Sequence, residues 1–131
     1  MASPFLLDTS VFIAAETGRA LSPLPEGDMR ISVVTLAELK LGVLRSSGAV
    51  RELRSATVAR AERFIPVSVD EHVADGLASL LSKLRSSQRR SKAFDCFVAA
   101  TALAHDLTVV AQDHDFEELQ AVEQRLRVVL V

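Results

Sequence analysis

Short apolar runs alternate with longer stretches of helical period from one end of the chain to the other. "PFLL" (residues 4–7) reads as a buried strand, and residues 9–16 as a short helix. "ALSPLPEGD" (20–28) holds two prolines and a glycine and predicts a loop. "RISVV" (30–34) reads as a second strand. It runs straight into "TLAELKLGVLR" (35–45), where Leu36, Leu39, Val43 and Leu44 recur at helical spacing. A helix dotted with Arg and Glu follows over 49–63. Next comes "FIPVSV" (64–69), a strand that Pro66 confines to a sheet edge because proline has no N–H for the ladder. A helix over about 71–84, another over 93–104, a strand over 107–111 and a last strand in "LRVVLV" (126–131) complete the series. Strands alternating with helices predict an α/β fold with a mostly parallel central sheet. No internal repeat or low-complexity tract interrupts the 131 residues, so a single domain over 1–131 is expected.

Apolar residues make up 49% of the chain and charged residues 24%, the balance of a folded globular domain. No apolar run approaches the roughly 20 residues needed to span a bilayer. The N-terminus shows neither a basic start nor a small-residue cleavage site. Cys96 stands alone, so no internal disulfide forms; that fits a reducing interior, and a cytoplasmic location is expected. A net charge of −2 argues against a protein that grips phosphates over its whole surface. Charge is nevertheless local. "LRSSQRRSK" (84–92) carries Arg85, Arg89, Arg90 and Lys92 with no acid among them, and it suits a solvated loop as well as a phosphate contact. With no Trp, no Tyr and six Phe mostly inside apolar runs, a nucleic acid would be held by backbone contacts and shape.

Acids gather where the predicted strands end, which is where open α/β sheets bind their ligands. Asp8 follows the first strand, Glu38 lies one helical turn beyond the second, and Asp113 and Asp115 follow "LTVVA". Each also has a purely structural role open to it. Asp8 is a good N-cap for the helix that begins at Thr9. "TLAE" (35–38) matches a capping box with Thr35 as the cap, and Asp115 with Glu118 would box the last short helix.

Asp95 is harder to explain that way. From Ala93 to Ala104 only Asp95 and Thr101 are polar, and a helix apolar all round is a buried helix. An ionised carboxylate there is unfavourable without a partner. The nearby helix N-terminus contributes only about 0.3–1 kcal/mol, and Lys92, one turn back, is the cation within reach. If Asp8, Glu38, Asp95 and Asp113 converge, each pair about 5 Å apart repels by roughly 3 kcal/mol at an effective dielectric near 20. A hard divalent cation removes that conflict. Mg²⁺ or Mn²⁺ takes oxygen ligands, bridges to phosphates and activates water at such a site. Thr9 and Ser10 would then orient the Asp8 carboxylate.

With these residues in view, "LLDTSVFI", "SVVTLAELKLG" and "AFDCFVAATALAHDLTVVAQDHDF" together resemble the PIN domain, most closely the VapC-type ribonuclease toxins of bacterial toxin–antitoxin pairs. The likeness spans almost the whole chain. It implies a three-layer α/β/α sandwich and a Mg²⁺- or Mn²⁺-dependent endoribonuclease that cuts RNA. It also implies a homodimer held inactive by a cognate antitoxin, in a heterotetramer or larger assembly. By the same resemblance Asp8 and Asp95 are the principal metal ligands, Glu38 is a ligand or water-orienting acid, and Asp113 completes the quartet. The D-x-D spacing leaves Asp115 as an alternative to Asp113.

Other readings fit less well. A phosphatase with Asp8 as nucleophile would carry D-x-D at the first strand, but position 10 is Ser; a receiver-type domain would need acids before Asp8 and a late Lys. A non-catalytic PIN-fold module that binds RNA or protein has no need to keep four repelling acids. Cys96 sits among apolar neighbours and reads as a small buried residue, and His72, His105 and His114 lack zinc-ligand spacing. "LAELKLGVL" is apolar over more than one face, a surplus expected mainly in the core, with an antitoxin or second subunit as the alternative.

Overall fold

The computed structural model describes residues 4–131. Five strands, β1 (Phe5–Leu7), β2 (Met29–Ser32), β3 (Ile65–Val67), β4 (Thr108–Ala111) and β5 (Val128–Leu130), form one parallel sheet in the order β3-β2-β1-β4-β5. Six helices connect them: α1 (Thr9–Glu16), α2 (Val33–Leu44), α3 (Gly48–Ala61), α4 (Glu71–Ser86), α5 (Ala93–Ala104) and α6 (Glu117–Val122). The first strand is the central one. Leu7 pairs with Ile31 on one side and with Val110 on the other, so β1, β2 and β4 end at one level of the sheet. β3, with Pro66, lies at an edge as its sequence predicts.

Adjacent strand residues point to opposite faces, and both faces are covered. Leu6, Val109 and Ala111 pack with Val73, Leu80, Val98 and Phe116, beneath α4, α5 and α6. Leu7, Ile31 and Val110 pack with Val11, Phe12, Leu39 and Val58, beneath α1, α2 and α3. Each fully buried side chain of this kind contributes roughly 1.5–3 kcal/mol. Two cores, one on each side of the sheet, make the three-layer α/β/α sandwich. Among the described residues, no helix is long and apolar enough to cross a membrane.

Several local expectations are corrected. β2 stops at Ser32, whose hydroxyl accepts from the Val34 amide at 3.1 Å and caps α2, so Val33 and Val34 are helical. Thr35 is therefore inside the helix, fully buried, with its hydroxyl unpartnered. The predicted Thr35–Glu38 capping box does not form. The Asp115–Glu118 box is also absent: α6 is preceded by Phe116 with no side-chain cap, and Asp113 accepts from the Asp115 amide at 3.2 Å instead. The apolar surplus of α2 is divided: Leu36, Leu39 and Val43 pack in the core, whereas Leu41 is 45% and Leu44 74% exposed, as Val50 and Leu53 of α3 also are in part. Cys96 is buried as expected. His105 pairs with Asp70, the residue that caps α4.

Candidate active site

Where β1 ends, the ladder continues one residue further: the Asp8 amide donates to the Val110 carbonyl at 2.9 Å. Asp8 then caps α1, with Oδ2 accepting from the Ser10 amide at 3.1 Å. Its side chain is 4% exposed. Burial raises its pKa, the nearby Asp113 charge adds to the rise, and the Ser10 hydroxyl and amide oppose it. The Ser10 hydroxyl itself accepts from the Gln112 amide at 3.0 Å, tying the start of α1 to the segment after β4. That segment carries Asp113 and Asp115.

Glu38 arrives from α2 as a half-buried acid whose Oε1 accepts from the Thr9 hydroxyl at 2.7 Å. Thr9 thus orients Glu38, where the sequence suggested that it would orient Asp8. Burial is the first cause of a raised Glu38 pKa, and the Asp8 charge adds to it. Asp95 lies in the first turn of α5, 9% exposed, and its Oδ2 is buried with no hydrogen-bond partner among the described residues. Burial, then the charges of Asp8 and Asp115, push its carboxyl up to about 7. Lys92, the cation within reach, forms no ion pair with it; the Lys92 ammonium sits 3.4 Å from Asp115.

Asp8, Glu38, Asp95, Asp113 and Asp115 all line one cavity of about 280 Å³, with Arg19 and Lys92 as its cations. Asp113 and Asp115 both reach it, so their shared D-x-D spacing delivers two acids to one place. Sequence reasoning missed Arg19. Gly18, in the left-handed region at φ 73°, turns the chain after α1, and the Arg19 amide returns to the Ala14 carbonyl at 2.8 Å. The Thr-Gly pair at the helix end was the available signal. His114 stands at the rim, 2.8 Å from Glu117.

No trio of His, Cys, Asp or Glu among the described residues meets closely enough to enclose a metal ion unaided. The donors are nevertheless all carboxylate oxygens, and the unpartnered Asp95 Oδ2 faces a deficit of positive charge. Such a set suits a hard cation that keeps several waters and takes only one or two carboxylates directly.

The PIN domain family matches residues 5–122. Ribonuclease VapC4 of Mycobacterium tuberculosis is 43% identical over 122 residues, covering 90% of this chain and 92% of that protein. Ribonuclease VapC5 of the same organism is 40% identical over 116 residues, covering 87% of this chain and 86% of its own. The crystal structure of VapBC-5, a member of the VapBC family of toxin–antitoxin systems from M. tuberculosis, superimposes with a TM-score of 0.85 at 35% identity. That match covers 99% of this chain and 100% of the other.

Proposed function

The chain belongs to the PIN-domain family, among the VapC ribonucleases, and on that premise we propose that it is the toxin of a toxin–antitoxin pair, a Mg²⁺-dependent endoribonuclease hydrolysing RNA phosphodiester bonds. The observation that carries this reading is Asp95: a buried carboxylate with an unpartnered oxygen, surrounded by four further acids and answered by too few cations. Asp8, Glu38, Asp95 and Asp113 would hold the ion, and Mn²⁺ has the same ligand preference. When bound, the ion would activate a water and neutralise charge on the phosphoryl group in transfer.

The chain's own part is to hold the acids ready. The Ser10 amide fixes one Asp8 oxygen, and the Thr9 hydroxyl fixes one Glu38 oxygen, so little ordering remains when a cation arrives. Asp113 takes the fourth place ahead of Asp115. It is half-buried and its charge acts on Asp8, whereas Asp115, whose charge acts on Asp95, is exposed and tied to Lys92. A cognate antitoxin and a second copy of the chain are the protein partners, and the exposed Leu41, Leu44, Val50 and Leu53 supply an apolar surface for one of them.

The test is RNA cleavage by pure protein with Mg²⁺ and with chelator. Cleavage that is equal in both sinks the metal-nuclease reading. Sequencing RNA ends after brief expression, with Asp8→Ala as control, identifies the RNA that is cut.

A further inference from the structure

The basic segment between α4 and α5 lies outside the quartet of acids, and its placement has a consequence for substrate binding. α4 ends in a fixed turn: Gln88 adopts φ 56°, uncommon for a residue other than glycine. The Arg89 amide donates to the Leu84 carbonyl at 2.8 Å and the Gln88 amide to the Arg85 carbonyl at 3.1 Å. Beside this turn is a groove of about 500 Å³ lined by Arg85, Arg89 and Arg90 together with Leu81 and Leu84.

A smaller cavity of about 280 Å³, lined also by His114, Glu117 and Glu118, shares Arg90 and Ser91 with that groove, and shares Lys92, Asp95 and Asp115 with the acidic cavity. One trough therefore runs from the arginines to the carboxylates. Arg89 is held by Glu118 at 3.0 Å and Lys92 by Asp115 at 3.4 Å, whereas Arg85 and Arg90 make no ion pair among the described residues.

We propose that this trough is the track of the RNA strand, with Arg85 and Arg90 gripping phosphates to one side of the bond that is cut. The inference rests on the ribonuclease reading above. The groove presents guanidinium groups and no aromatic side chain, so it suits a phosphate backbone and offers no aromatic platform for stacked bases. Phosphates beside the reacting one are bound alike in substrate and transition state, so contacts to them change KM and leave kcat alone.

Two measurements test this on the full chain. A fluorescein-labelled 12-nucleotide single-stranded RNA of mixed sequence is titrated by anisotropy in EDTA, and its cleavage is followed in Mg²⁺. For Arg85→Gln/Arg90→Gln, affinity falls about tenfold and the slope of log K against log salt becomes shallower by about 1.4, the loss of two single-strand phosphate contacts. KM rises by the same factor while kcat stays within about twofold. Arg85→Lys/Arg90→Lys keeps the slope, and the distant pair Arg45→Gln/Arg63→Gln changes nothing.

An unchanged slope in the glutamine double variant overturns the proposal, as does an equal loss in the lysine or distant variants. Displacement of the RNA by an equal concentration of decaglutamate overturns it too, in favour of an acidic protein segment. A wild type that binds through the arginines but leaves uncut, in Mg²⁺, an RNA carrying the sites found by end sequencing keeps the track and refutes the nuclease.

Discussion

Asp95 and Glu123 are buried to nearly the same degree, at 9% and 6% exposure, yet their carboxyls move in opposite directions. Glu123 lies between two cations: its Oε2 is 2.6 Å from the Lys83 ammonium and its Oε1 is 3.0 Å from Arg125 Nε. The Arg125 bonds first, then the Lys83 bond, hold it down to about 2. Asp95 has other acids for neighbours, and the one lysine in its cavity is engaged by Asp115, so burial and repulsion push it up to about 7. Burying a charge is unfavourable in both places. In one the protein answers it internally and the carboxylate supports the fold. In the other the answer is left to something that binds.

The contrast is sharpest in Asp95→Asn. Metal-dependent RNA cleavage should fall by more than about 100-fold, since outer partners of ligands alone are worth 10–100-fold. The melting temperature in EDTA should hold or rise, because a repelling charge has gone. The same residue sets a pH signature. Its folded pKa lies above the ordinary 3.8, so its contribution to metal-free stability is complete below that value and is lost as pH rises through about 7. Urea midpoints between pH 4 and 8 should show that decline in the wild type and a flatter curve in Asp95→Asn.

Glu123→Gln should do the reverse. We expect a loss of about 2 kcal/mol in urea denaturation, less than the 3–5 for a fully buried pair because both cations reach solvent. Cleavage per folded molecule should not change. Its pKa lies below the ordinary 4.5, so its stabilisation is present above that pH and is lost as pH falls towards 2. A Glu123→Gln protein that is stable but inactive would break the comparison. The smallest effect is Thr9→Val, which removes the hydroxyl on Glu38. Activity titrated against Mg²⁺ should need about tenfold more metal, with the urea midpoint almost unmoved.

Much of this was legible in the chain. α1 runs over Thr9–Glu16 as its pattern predicts, β3 is an edge strand because of Pro66, and the lone acid of α5 announced its need for a partner. Local signals misled at Val33 and Val34. Their β-branched side chains favour a strand, but Ser32 caps α2 just before them, and the first turn of a helix has no preceding turn to crowd them. The bond from Thr9 to Glu38 could not be read from sequence spacing, since the two residues lie 29 positions apart. Nor could the exposure of Leu41 and Leu44, which depends on where α3 docks. Glu123 went unnoticed, because its pairing with Lys83 spans 40 positions.

The strand order has a consequence for how the protein is made. β1 (Phe5–Leu7) leaves the ribosome long before its neighbour on one side, β4 (Thr108–Ala111). The acidic cavity needs both Asp8, which follows β1, and Asp113, which follows β4. Translation must therefore have passed Asp113 before the cavity exists. Chains cut short by a stalled ribosome or an early stop codon carry Asp8 and Glu38 without the acids that complete the set.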